Sequence, residues 1–211
     1  MLIRSNHPKG IFICNPNNPT GRYISRTDFK RVLDECEDSL VILDEAYVGF
    51  VDGAWSSLDM IEENNLLILH SMTKDYTMAG LRLGYGVANE GIIANLRRIR
   101  PPWSVNAVAQ KAGVIAINEE EYLKRCQVEL GEAKSYLYAE LSRLGLPPLP
   151  SAANFFLVEV GDATEMRREL LKHRMLVRDC ASFGLPRYIR IAPRTLPECR
   201  KLIDAIVEIK R

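Results

Sequence analysis

No stretch of this 211-residue sequence approaches the ~20 consecutive apolar residues that a membrane-spanning helix needs, so no transmembrane element is expected. The opening Met1-Leu2-Ile3-Arg4-Ser5-Asn6-His7-Pro8 lacks the long apolar core of a signal peptide. Net charge is almost absent: 28 Lys and Arg against 27 Asp and Glu leave +1. That gives no bulk field for nucleic acid or an anionic membrane, and the expected partner is a small molecule. Cysteines are few and odd in number. Cys14, Cys36, Cys126, Cys180 and Cys199 form no CxxC pair and no disulfide framework, and read as reduced packing thiols of a cytoplasmic protein. His7, His70 and His173 carry no metal-ligand spacing, and no metal site is expected.

What is present is an ordinary soluble composition, 47% hydrophobic and 26% charged. Short apolar runs punctuate the first half. Gly10–Cys14 empties into Asn15-Pro16-Asn17-Asn18-Pro19-Thr20-Gly21, a loop stiffened by two prolines and able to aim an asparagine side chain. A plain turn would use the same residue types. Ser25 is placed to cap a helix through Phe29, Val32 and Leu33. Leu40–Leu43 reads as a strand buried on both faces, ending in Asp44-Glu45-Ala46-Tyr47. Residues 55–64 read as a loop with a short helix, and Leu66–His70 and Leu83–Ala88 as two further strands. The alternation of strand and helix predicts an α/β parallel sheet, whose ligands bind beyond the carboxyl ends of the strands, where Asp44 falls. His70 reads as a packed strand-end histidine.

The third of these strands delivers Ser71-Met72-Thr73-Lys74, with Arg82 eight positions after the lysine. A positioned lysine amine forms imines, while nearby hydroxyls and an arginine fork suit a phosphate dianion. A ligand with both handles is pyridoxal 5'-phosphate (PLP). The plainer alternative is a solvated loop lysine beside an ordinary arginine.

Glu90–Arg100 has helical spacing, its Arg97, Arg98 and Arg100 suiting a helix C-terminus rather than a nucleic-acid patch. Pro101-Pro102 then breaks the pattern, leaving Trp103 and Asn106 to line a pocket or a subunit contact. Two helices follow, residues 105–117 and 119–144. A domain boundary at Asn118 would give a first domain of residues 1–118 and a second of 119–211 led by the long helix. The second reads β-α-β-β-α: a strand over Asn154–Val160, a helix from Ala163 to His173, short strands at Leu176–Arg178 and Tyr188–Ile191, and a closing helix from Leu196 to Lys210. Arg178 and Arg190 thus stand in or beside strands, where arginine either snorkels outward or offers a bidentate fork to an anion.

Asn15–Gly21, Asp44-Glu45-Ala46-Tyr47, Ser71–Lys74 and Arg82, in that order and spacing, resemble the fold-type I PLP enzymes of the aspartate aminotransferase superfamily. The resemblance implies that fold, with an incomplete parallel large-domain sheet and a small α/β C-terminal domain. By it, Lys74 would bond the cofactor, Asp44 would pair with the pyridine nitrogen, and Asn18 and Tyr47 would bond the ring's phenolic oxygen. Ser71, Thr73 and Arg82 would hold the phosphate, and Arg190 the substrate α-carboxylate. Within the superfamily, Ser151–Phe155 and Val177-Arg178-Asp179 are similar to histidinol-phosphate aminotransferase and threonine-phosphate decarboxylase, which implies Arg178 on a substrate phosphate and Asn154 at the substrate. Pro102–Ala107 is more similar to the decarboxylase.

The resemblance also implies a homodimer, and a longer segment ahead of the Asn-Pro motif than the fourteen residues standing before Asn15 here. The chain is therefore expected to be a shortened member. Two function classes follow. One is a PLP enzyme acting on an amino acid or amino-phosphate, by decarboxylation or amino transfer. The other is a catalytically silent binding or dimerisation remnant.

Overall fold

A computed structural model describes residues 5–36, 39–62 and 65–211. It divides into two compact units, Met1–Pro16 with Tyr23–Leu123, and Asn17–Arg22 with Lys124–Arg211.

The first unit is built on four strands, β1 (Gly10–Cys14), β2 (Leu40–Asp44), β3 (Leu66–Ser71) and β4 (Gly84–Ala88), adjacent in that order. β1, β2 and β3 are parallel, with Cys14 opposite Asp44 and Asp44 opposite Leu69. Asn15, Asp44 and Ser71 therefore leave the sheet at the same end. Helix α1 (Arg26–Asp34) crosses between β1 and β2; Ser25 caps it, accepting from Asp28 N at 3.1 Å. Its buried Phe29 and Leu33 pack with Val41, Leu43, Leu66 and Ile68 in one core. β2 and β3 send Val41, Leu43, Leu66 and Ile68 into this core, while β1 leaves Phe12 exposed. The expected short helix before β3 is a single 3-10 turn at Leu58–Met60, and residues 63–64 of that stretch lie outside the described residues, as do residues 1–4 at the start.

The fourth strand departs from the parallel expectation. β4 runs antiparallel to β3, with Gly84 opposite Ser71. The intervening residues form the short helix α2 (Met72–Asp75) and a 3-10 turn at Ala79–Leu81. Neither travels back along the sheet, so the chain re-enters from the end it left; a parallel return needs a full crossover. Two more helices follow, α3 (Glu90–Ile99) and α4 (Ala107–Ala116), each with an asparagine at its N-cap. Asn106 Oδ1 accepts from Ala109 N at 2.8 Å, so its oxygen is committed to the cap rather than to a pocket, and Trp103 is 95% exposed.

The second unit follows the predicted β-α-β-β-α order. Helix α5 (Glu120–Arg143) leads into β5 (Phe156–Glu159), α6 (Ala163–Lys172), β6 (Arg178–Asp179), β7 (Tyr188–Ile191) and α7 (Leu196–Ile209). The sheet order is β5-β7-β6, with both outer strands antiparallel to β7. β5 is shorter than expected, and β6 begins at Arg178 rather than Leu176, because only Arg178 and Asp179 find partners on β7. Leu137 and Leu141 of α5, Phe156 and Val158, Ile189 and Ile191, and Ile206 of α7 form its core. Asp162 caps α6, and Thr195 with Glu198 forms a reciprocal capping box at α7. Among the described residues no helix is long and apolar enough to cross a membrane.

Candidate active site

The first unit gathers six of the residues singled out in the sequence near the carboxyl ends of β2 and β3. Ser71 is the last residue of β3, and its hydroxyl meets Thr73 Oγ1 at 2.7 Å. Lys74 Nζ donates to the same Thr73 oxygen at 3.0 Å and lies 5.7 Å from the centre of the Tyr47 ring. One residue of β3 and two of α2 thus form a linked chain of hydroxyl, hydroxyl and amine. Met72 and Thr73 are the buried side of α2, which turns Lys74 out of the core. Asp44 ends the neighbouring strand. Its Oδ1 accepts from Ala46 N at 2.9 Å, and its Oδ2 receives the weak thiol donor of Cys14 at 3.7 Å. Oδ2 therefore keeps acceptor capacity for a stronger donor. Arg82 stands in the left-handed region (φ 56°) just after the 3-10 turn and donates to Ala79 O at 2.9 Å. Met72 N donates to Leu83 O, which ties the arginine's neighbour back to the start of α2. A phosphate with an aldehyde and a ring nitrogen matches this donor and acceptor set: hydroxyls and a guanidinium for the phosphate, an amine for the aldehyde, a carboxylate for the nitrogen.

The remaining four residues belong to the second unit. Arg190 donates through Nη1 to Asn18 Oδ1, and its guanidinium carbon lies 4.8 Å from the Phe155 ring centre. Arg178 stands directly opposite Arg190 in the β6–β7 ladder, donates to Ser182 Oγ at 3.0 Å and stacks on Phe183 at 5.5 Å. Both arginines line one cavity of about 830 Å³, with Arg167, Arg174 and Arg194 adding positive charge. Asn154 Oδ1 is buried without a hydrogen-bond partner, an acceptor left for a ligand donor.

Several contributing residues were not singled out in the sequence. Lys134 of α5 donates to Ser151 O at 2.6 Å and Ala153 O at 3.0 Å, holding the loop that presents Asn154, and burial lowers its pKa. The one sequence signal is a lysine beside the buried Ala133 and three residues before the buried Leu137. Glu45 and Asp75, the neighbours of Asp44 and Lys74, are acids whose pKa burial raises, to about 7 and about 6.

These shifts have a definite sign. Glu45 binds its proton more tightly folded than unfolded, where its value is 4.5. Its stabilising share is complete below that value and is lost as pH rises through about 7. Asp75 acts in the same direction, from 3.8 up to about 6. His70, lowered first by burial, acts oppositely, its share being present above 6.5 and lost as pH falls. Thermal melts should therefore show stability declining toward neutral pH, and Glu45→Gln should flatten the part of the decline that ends near 7. An unchanged profile in that variant would contradict this account.

Residues 2–206 match the family model for aminotransferase class I and II. A histidinol-phosphate aminotransferase of Symbiobacterium thermophilum is 40% identical over 201 residues, covering 94% of this chain and 56% of that protein. The chain thus spans little more than half the length of that relative. Among solved structures, an L-threonine-O-3-phosphate decarboxylase from Porphyromonas gingivalis superposes with a TM-score of 0.89 at 30% identity, over 97% of this chain and 65% of that one. The histidinol-phosphate aminotransferase from Clostridium acetobutylicum gives 0.91 at 27% identity, over 99% and 66%. Sheet topology, residue order and a match running nearly end to end agree, and the chain belongs to the class I and II aminotransferase family, with the α/β fold of the fold-type I enzymes.

Proposed function

We propose that the chain is part of a PLP-dependent enzyme acting at the Cα of a phosphorylated amino acid or amino alcohol, by α-decarboxylation or by amino-group transfer. The observation that carries this reading is the linked Ser71–Thr73–Lys74 set standing at the same sheet end as Asp44. When bound, PLP supplies an aldehyde that takes up amines and a protonated ring that accepts electrons from the bond broken at Cα.

The chain's own residues supply the rest. Lys74 is the amine that holds the cofactor, and Thr73 Oγ1, at 3.0 Å, aims it. With substrate bound, Lys74 Nζ would be the base that takes or returns the Cα proton. Asp44 would pair with the ring nitrogen and hold a proton there. Ser71, Thr73 and Arg82 bind the phosphate, and Asn18 and Tyr47 bind the phenolic oxygen. Arg190 receives the α-carboxylate, Arg178 the substrate phosphate, and Asn154 accepts from the substrate. In this reading residues 1–118 carry the cofactor groups and 119–211 most of the substrate groups, in a cytoplasmic homodimer that requires neither nucleic acid nor membrane.

The two reaction outcomes each have a relative behind them, the 30% identical decarboxylase and the 40% identical aminotransferase. Carbon dioxide release and amino transfer to a keto acid, assayed on the same phosphorylated substrates, separate them. Arg178→Ala should raise KM for a phosphorylated substrate about 10–100-fold, the weight of a charge-assisted contact, and leave an unphosphorylated analogue unchanged. The second reading is a catalytically silent binding or dimerisation remnant. A near-visible spectrum identical to free PLP, with the chain and with Lys74→Ala alike, would favour it and overturn the enzyme.

A further inference from the structure

Glu45 directly follows Asp44, and His70 directly precedes Ser71. The Glu45 amide donates to Leu69 O at 2.9 Å, joining the end of β2 to β3. Its carboxyl group, 3% exposed, accepts from Ser57 Oγ at 2.9 Å through Oε1 and lies 3.3 Å from His70 Nε2 through Oε2. The His70 ring stacks on Tyr85 of β4 at 5.0 Å. A buried acid and a partly buried base, 18% exposed, thus meet across the two strand ends that carry the cofactor set. Such a pair holds one proton at lower cost than none or two, since either alternative leaves an uncompensated buried charge.

The other titratable groups that act on the pair are Asp44 on β2, Tyr23 in the loop after β1, and Tyr85 on β4, with Asp75 of α2 acting on Tyr85. Two of these are carboxyl groups. Losing the shared proton therefore adds negative charge to a region that already holds acids.

We propose that Glu45 and His70 are a positioning pair: the proton they share clamps the ends of β2 and β3, and its loss loosens Asp44 against Ser71–Lys74. The consequence for PLP rests on the reading given above. Burial brings the transition near neutrality, since it raises Glu45 to about 7 and lowers His70.

Nuclear magnetic resonance on the whole chain tests this, because only three histidines contribute imidazole signals. Between pH 5.5 and 8.5 the His70 ring and the amides of Thr73 and Lys74 should shift with one midpoint. In Glu45→Gln the His70 midpoint should move and the Thr73 and Lys74 transition should vanish. Should that variant not fold, His70→Gln must abolish the same amide transition. Flat Thr73 and Lys74 amides in the wild type, or a transition that persists in the variants, would overturn the pair. Separately, the Kd for PLP should weaken about tenfold across the transition, the effect of one unit of coupling, and not do so in Glu45→Gln. Failure to bind PLP at any pH would sink the cofactor reading, while the amide transition would still decide the pair.

Discussion

Lys74→Ala should abolish the borohydride-reducible PLP adduct entirely and leave the fold intact. The first half of this expectation follows from chemistry. A reducible adduct requires a primary amine at the aldehyde, and Lys74 is the one that shares the Thr73 hydroxyl with Ser71. Turnover, where the chain supports it, should fall by the weight of both holding the cofactor and moving the Cα proton, which general-base catalysis alone puts at about 10²–10⁴-fold. The second half follows from packing. The buried residues of α2 are Met72 and Thr73, and Lys74 contributes one hydrogen bond and a partly exposed contact with Tyr47. Its loss opens no core cavity, so the melting temperature should stay within a few degrees of wild type. Mass spectrometry after borohydride treatment, with a thermal melt beside it, checks both halves. A Lys74→Ala protein carrying the same adduct would move the assignment to another lysine.

Gly21→Ala is expected to be the most damaging single-methyl change, at about 2–5 kcal/mol. Gly21 closes the Asn-Pro loop at φ +67°, and a Cβ there would stand 1.8 Å from Ser151 Oγ and 3.2 Å from Ser151 Cα. Ser151 has little room to yield. Its hydroxyl donates to Phe155 O and accepts from Ala153 N, Lys134 holds its carbonyl, and the next residue, Ala152, donates to Gly21 O at 2.8 Å. The left-handed backbone costs about 1–2 kcal/mol for alanine, and displacing a hydrogen-bonded loop adds about 1–3. The damage should reach function, because Asn18 and Asn154 sit on the two segments being pushed apart. Chemical denaturation of the second unit, followed through its own signals, measures the cost. A loss below about 1 kcal/mol would mean the Ser151 loop yields freely, contrary to its four hydrogen bonds.

Much of this protein was legible because local physics decided it. The cap at Ser25 sets a helix start through a side-chain oxygen and one nearby amide, whereas the caps at Asn89, Asn106 and Asp162 emerged only with the structure. The apolar runs at Leu40–Leu43 and Leu66–His70 fall in strands because short apolar runs bounded by polar residues suit a core strand. Lys74, with hydroxyls three residues and one residue before it, could be singled out because all three lie within one turn. Other features depend on partners far along the chain. The direction of β4 depends on where α2 releases the chain, and the start of β6 on which residues meet β7. The 3.3 Å approach of Glu45 to His70 joins residues 25 apart in sequence, and no pattern in either segment announces it. Asn106 shows the converse: its residue type suggested a pocket, yet a helix start beside it took the oxygen first.

The sequence by itself determined the elements, the order of the motif residues and the chemistry they can perform, since residue type and short spacing govern all three. Only the tertiary structure decided which acids share protons, which asparagine keeps a free acceptor and which arginines face one cavity. Those outcomes depend on burial and on distances across strands, and burial is a property of the folded chain.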